Sequence, residues 1–331
     1  MVENERVTPS GRLVLPADGS LRTGLVAAFA GILAYAAAQK PADPDVDPGA
    51  DPAVALHEYR KSVRRARALL RLLEGVVGVD AYEQLTTTLR EVHRASSALR
   101  DRQVVLDVMQ GAGPRMSDSA EVVAASLGAA MRGQAAPSAA EVAEVIEAGS
   151  ARFAPLADLL AGAMPPKVRW DAVADGLART FRRARRRLHE VERQGDDESL
   201  HALRKRAKEL NYQVELFAEL GGRARKQRKQ LAELCDELGQ LADLIVLRGY
   251  AESHLASAGE QARVIDAIAG ERAGQLGHAL EHAGEVLDRR PRSFARNIVR
   301  AARKGIRRSR EARVTPGWPK LRRRGYHAPR S

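Results

Sequence analysis

A single cysteine, Cys235, among 331 residues leaves no pair for an intrachain disulfide. That excludes a small disulfide-stapled scaffold and sets the expectation of a reducing compartment. Aromatic residues make up only 4% of the chain, so aliphatic side chains must supply the core. Alternating runs of Val, Ile and Thr are scarce, which argues against sheet. Ala, Leu, Arg and Glu dominate instead, and the expected class is all-α. No apolar run reaches the roughly 20 residues a membrane-crossing helix needs. The candidate LVAAFAGILAYAAA, 25–38, follows Glu3, Glu5 and Asp18, and reads as a buried first helix rather than a signal or anchor. Phosphate-loop, zinc-protease and nucleophile-elbow signatures are also missing, so ordinary hydrolases and nucleotide motors lose support.

Charge is abundant but uneven. Of the formal +12, residues 292–331 carry fourteen Lys/Arg against Glu311 alone, and the other 291 residues come to −1. Basic side chains in this near-neutral body are informative where they cluster, at 60–71, 179–193 and 204–208. A clustered basic face points to a polyanionic partner more strongly than total charge does.

Punctuation by Pro and Gly divides the chain. Residues 1–19 read as a poorly ordered lead and 313–331 as a basic flexible tail. Helices are expected at 21–39, 53–74, 80–109, two modest ones within 117–162, then 168–193, 197–220, 223–256, 260–288 and 292–312. An offset of 144 pairs Leu56-His57 with Leu200-His201, Arg60-Lys61 with Arg204-Lys205, and Arg64 with Lys208. Two similar halves follow, 20–164 and 165–312: pseudo-symmetric antiparallel helical bundles from an internal duplication, facing one another.

At about 100° per residue, His57, Arg60, Lys61, Arg64, Arg67 and Arg71 share an arc of roughly 120°, with Leu56, Tyr59, Val63 and Leu70 opposite. His201, Arg204, Lys205 and Lys208 repeat the row, and Arg179, Arg182, Arg183 and Arg186 make a third. Like charges three or four residues apart cost a few tenths of a kcal/mol per pair, so such rows call for a neutralising partner. Arginine forks and lysine charges suit phosphate oxygens, and an extended anion suits a row. Metal binding by His57 and His201 is disfavoured by the cations around them. Asp101 and Asp243 read as acids that orient neighbouring arginines, while Tyr212 and Glu215 support the row from behind.

DPAVALHEYRKSVRRARALLRLL and LHALRKRAKELNYQVELF, followed by ALRDRQV and LGQLADLIVL, resemble the CHAD family, the conserved histidine alpha-helical domain. The resemblance covers about 21–310. It implies a helical domain with a central basic channel that binds inorganic polyphosphate without catalysis, in a stand-alone form with no triphosphate-tunnel (CYTH) domain. Carried over by position, the binding residues are His57, Arg60, Lys61, Arg64, Arg65, Arg67, His201, Arg204, Lys205 and Lys208. Arg102-Gln103, Asn211 and Cys235 depart from the family pattern.

The resulting expectation is a cytoplasmic, non-enzymatic polyphosphate-binding protein that associates with polyphosphate granules, with no cofactor, metal or membrane partner. Binding is expected to strengthen toward pH 6 as His57 and His201 gain charge. Two alternatives stand beside it: nucleic-acid binding, favoured by RRRGYH in the C-terminal tail and by the basic helix at 292–312 before it, and an enzyme or accessory subunit of polyphosphate metabolism.

Overall fold

The structure, a computed structural model, describes residues 11–17, 19–41, 52–100, 103, 123, 125–128 and 136–314. Among the described residues it is all-helical. The elements are α1 Leu21–Ala37, α2 Pro52–Leu72, α3 Val79–Ala95, α4 Ala139–Ser150, α5 Leu156–Ala163, α6 Trp170–Gln194, α7 Asp197–Glu215, α8 Gly222–His254, α9 Ala258–Leu287 and α10 Pro291–Val314. A 3-10 turn, Ala218–Leu220, joins α7 to α8.

Local chemistry sets many of the ends. Ser20, Ser138, Asp196 and Ser257 each accept a hydrogen bond from a first-turn backbone N–H of α1, α4, α7 and α9, satisfying a donor the helix cannot. Gly195, at φ +66°, ends α6 in the left-handed conformation glycine adopts without a Cβ penalty.

Helix α1 is the buried helix the sequence implied. Leu25, Phe29, Ile32 and Leu33 are enclosed, and the helix packs on α2, α4 and α5. No described helix is long and apolar enough to cross a membrane. Two expected helices depart from their expected extents, for physical reasons. The 80–109 helix is interrupted at Ser96, where the Ser96 hydroxyl and the Arg60 guanidinium both donate to the His93 carbonyl, and helix resumes over 97–100; residues 104–109 lie outside the described residues. The 197–220 helix stops at Glu215, because the Leu216 carbonyl accepts from Leu15 N–H at 3.0 Å.

That last contact corrects the poorly ordered lead. Leu13 and Leu15 are 0% and 2% exposed, so residues 11–17 are held against the second half by apolar burial. Residues 1–10 and 315–331, with most of the expected tail, lie outside the described residues.

The halves meet directly. Helix α2 packs on α1, α3 and α4 and also on α6 and α7, while α7 packs on α6 and α8. One apolar cluster runs from Leu13 to Ala302 through both halves. Where α6 crosses α2, a Cβ on Gly176 would collide with the Leu72 carbonyl oxygen, so glycine sets this approach.

Candidate functional site

Where α2 and α7 cross, their apolar faces enter the core and their cationic faces line one cavity of about 580 Å³. Arg60, Arg64, Arg67 and Arg71 come from α2, and His201, Arg204, Lys205, Arg206, Lys208 and Tyr212 from α7. Among the described residues Glu209 is the one carboxylate in the lining, and it is engaged by Arg206 at 2.6 Å and Arg71 at 3.6 Å.

Within this lining the cations divide into spent and unspent. Among the described residues no carboxylate lies within 4.0 Å of Arg64, Arg67, Arg204 or Lys208. Arg64 Nε and Arg204 Nε are buried with no hydrogen-bond partner. Burial and the Arg204 and Arg64 charges push the Lys208 ammonium down to about 8. Arg204 is lowered by burial against the pull of Asp243, with Arg64 and Arg100 adding repulsion. Arg67 is lowered by burial, then by Arg71 and Arg90. The described neighbours thus leave this crowded positive charge without ion-pair partners.

The histidines behave differently from the expectation. His57 keeps an exposed edge and is not in the described cavity lining; burial of the rest of the ring, then repulsion from Arg64, Arg100 and Lys61, holds it at about 4. His201 is lowered by desolvation, then by Lys205 and Arg204. His93, on α3, is not among the residues singled out from the sequence, yet it lines the cavity. Burial and the Arg60, Arg67 and Arg64 charges push it down to about 3, and its Nε2 has no partner. No spacing signal on α3 marks it. His57 and His93 are therefore neutral at pH 6 in the free protein, and His201 is shifted in the same direction, which moves the expected pH response to more acidic values.

Other carried-over residues have different tasks. Arg65 is 5% exposed and is not a row member. Its guanidinium contacts Glu215 at 2.8 and 3.1 Å and lies over the Tyr212 ring, 5.2 Å from its centre. Glu215 also takes Arg228 at 3.3 Å and the Leu13 N–H at 3.5 Å. The 144-residue offset pairs Arg65 with Glu209, an acid, and that was the available sign that Arg65 is not part of a repeated cation row. Arg60 lines the cavity but is anchored on Ser96 and the His93 carbonyl. Lys61 is paired with Glu58 at 2.8 Å.

The third row does not join the cavity. Arg179 donates to the Glu74 carbonyl, Arg183 pairs with the Glu74 carboxylate at 3.2 Å, and Arg186 lies 3.7 Å from Glu190. Arg182 is exposed elsewhere on α6. A helix's basic face can be spent on neighbouring acids and carbonyls, and that happens here. Asp101 lies outside the described residues. Asp243 acts on Arg204 and Lys208 through its charge, as an orienting acid would. No group of three His, Cys, Asp or Glu suited to a metal occurs among the described residues.

The described residues thus form an all-helical fold with a cation-lined cavity at the crossing of the two motif-bearing helices. The chain belongs to the CHAD family: residues 30–252 match the CHAD domain. Comparison with curated proteins finds no match. Among solved structures, the crystal structure of the CHAD domain from the plant Ricinus communis is similar at 21% identity with a TM-score of 0.50. The similarity covers 83% of this chain and 94% of that one, a likeness of fold.

Proposed function

We propose that the protein binds inorganic polyphosphate in the α2–α7 cavity, as a binding module rather than an enzyme. CHAD domains are linked to polyphosphate, and the observation that carries the reading here is local. Arg64, Arg67, Arg204 and Lys208 converge from two helices without carboxylate partners within ion-pair distance among the described residues. A single phosphate meets only part of this lining, whereas a chain with charge at every unit can neutralise the cations on both helices. Arg64 and Arg204 offer planar donor forks and Lys208 a compact charge. Affinity therefore grows with chain length and falls as salt rises, through counterion release of the kind nucleic acids show. A cytoplasmic location and recruitment to polyphosphate granules follow as part of the proposal.

The test is a titration with orthophosphate, short polyphosphate and long polyphosphate over a salt series, on wild type and on the Arg64→Glu, Arg204→Glu double variant. Long chains are expected to bind wild type tightest, with a loss of at least about tenfold in the variant. Equal affinity for orthophosphate and long chains, or an unchanged double variant, would remove the reading. Incubation with long polyphosphate, followed by chain-length analysis and phosphate release, checks the non-enzymatic part.

A further inference from the structure

Helix α10 carries the most strongly charged surface outside the cavity. Arg292, Arg296, Arg300, Arg303, Arg307 and Arg310 are all exposed and succeed one another every three or four residues. At about 100° and 1.5 Å per residue they occupy an arc of about 80° and a row about 27 Å long. The opposite face fixes the roll of the helix. Phe294, Ile298 and Ala302 are buried, the helix packs on α6 and α8, and the Phe294 ring lies 4.5 Å from that of Phe181. The arginines therefore face outward as a set.

Little in the protein neutralises them. Arg307 lies 3.5 Å from Glu311, and Arg310 donates to the Gly19 carbonyl. Among the described residues no carboxylate lies within 4.0 Å of Arg292, Arg296, Arg300 or Arg303. No residue of α10 lines the cavity.

We propose that this row is a docking surface for double-stranded nucleic acid, independent of the cavity. The chemistry is arginine to phosphate, in which each fork can engage two oxygens. Shape selects among phosphate partners. A flexible phosphate chain laid along a convex row would lose its conformational freedom without being enclosed. A duplex arrives stiff, with its phosphates already fixed in space, so little ordering is required. A single strand would need aromatic platforms, and the only aromatic of α10, Phe294, is buried. A membrane-surface helix needs apolar side chains to seat among acyl groups. The exposed large hydrophobics among the described residues are Val54 and Val79, neither on α10. Contacts of this kind are to the sugar-phosphate backbone and carry no sequence preference.

The cavity, at about 580 Å³, has no room for a duplex. The two surfaces thus divide polyanions by shape, concave for a flexible chain and convex for a stiff one. If the cavity holds polyphosphate as proposed above, one molecule of the protein holds both together. That consequence rests on the polyphosphate reading; the duplex docking does not.

The experiment is fluorescence anisotropy of a labelled duplex DNA of scrambled sequence, with the full chain, over a salt series. Wild type is compared with the quadruple variant R292Q/R296Q/R300Q/R303Q and with the cavity variant R64E/R204E. The quadruple variant is expected to lose at least about tenfold in DNA affinity, its salt slope shrinking by between three and four, with polyphosphate binding retained. The cavity variant is expected to keep DNA binding, and saturating polyphosphate to leave most of the labelled duplex bound. If four substitutions impair folding, R292Q/R296Q and R300Q/R303Q are each expected to reduce the slope by about two. Unchanged DNA affinity in the row variants, equal loss in the cavity variant, or vesicles of phosphatidylserine captured as strongly as DNA would each overturn the proposal. DNA binding that behaves as expected in a protein that ignores polyphosphate would leave the row standing and remove the cavity reading instead.

Discussion

Arg65 of α2 and Glu215 of α7 form a buried ion pair at 2.8 Å, 150 residues apart in the chain. A second pair, Arg71 with Glu209 at 3.6 Å, joins the same two helices. The 144-residue offset aligns 65 with 209 and 71 with 215, so the pairs are related by exchange of the helices with the sign of charge reversed. This requires an antiparallel crossing, and the hydrogen bond from Gln213 Nε2 to the Ala68 carbonyl at 2.9 Å lies between the two pairs. The ion pairs hold together the walls of the cavity their helices line.

Removing one side of the buried pair strands the other. Glu215→Ala leaves Arg65 and Arg228 facing each other without a carboxylate, and is expected to cost about 3–5 kcal/mol of stability. Urea or thermal unfolding measures it. An apolar replacement of both partners, Arg65→Met with Glu215→Leu, is expected to regain much of that loss. A loss in Glu215→Ala below about 1 kcal/mol would contradict the structural role given to this pair.

The cavity cations and the anchored arginine are expected to respond in opposite ways. Arg64→Gln and Arg204→Gln relieve repulsion in the free protein, so the melting temperature should hold or rise while polyphosphate affinity falls. Arg60→Ala removes donors to Ser96 and the His93 carbonyl, at about 1–3 kcal/mol of stability. Differential scanning fluorimetry with and without long polyphosphate separates the two behaviours.

The pH response follows from which form each ring holds. His57 at about 4 and His93 at about 3 are below the unfolded value of about 6.5. The unfolded chain then binds more protons between those values, and stability falls as pH drops from about 6.5 toward 4 and 3. A bound polyanion favours the charged rings, so binding takes up protons, and affinity should rise mainly below pH 6. Calorimetry at pH 5 in buffers of different ionisation enthalpy reads this directly; no proton uptake there would refute it. Lys208, at about 8, should make binding weaken above that pH, and Lys208→Arg should restore it at pH 9.

Two glycine replacements are expected to differ in sign. Gly176→Ala forces the new methyl against the Leu72 carbonyl where α6 meets α2, costing about 1–3 kcal/mol despite alanine's better helix propensity. Gly239→Ala on α8 meets nothing within 4 Å and should gain up to about 1 kcal/mol. Chemical denaturation of the two variants in parallel tests the helix contact that keeps α6 against α2.

Helix identity was legible in the sequence because periodicity and punctuation are local. The Pro and Gly breaks between elements and the Leu56, Tyr59 and Val63 stripe each act within a turn or two of themselves. The cation row of α2 was legible for the same reason, and so was its counterpart on α7. Which cations remain available was not. Arg65 and Arg64 are adjacent and chemically identical, yet one is spent on Glu215 and the other faces the cavity with no carboxylate partner within ion-pair distance among the described residues. Arg179 and Arg183 form a helical row as regular as that on α2, and Glu74 consumes it.

What the sequence by itself determined was the class, the two motif helices and the presence of phosphate-suited cations, because backbone preference and side-chain type are properties of neighbours along the chain. What only the tertiary structure decided was the membership of the site. His93 enters it from α3, Arg65 leaves it for Glu215, and the α6 arginines never reach it. For His93, Arg65, Arg179 and Arg183 those assignments depend on partners 33 to 150 residues away, and the free energy of a charge is set by whatever carboxylate, carbonyl or low-water wall the fold brings beside it.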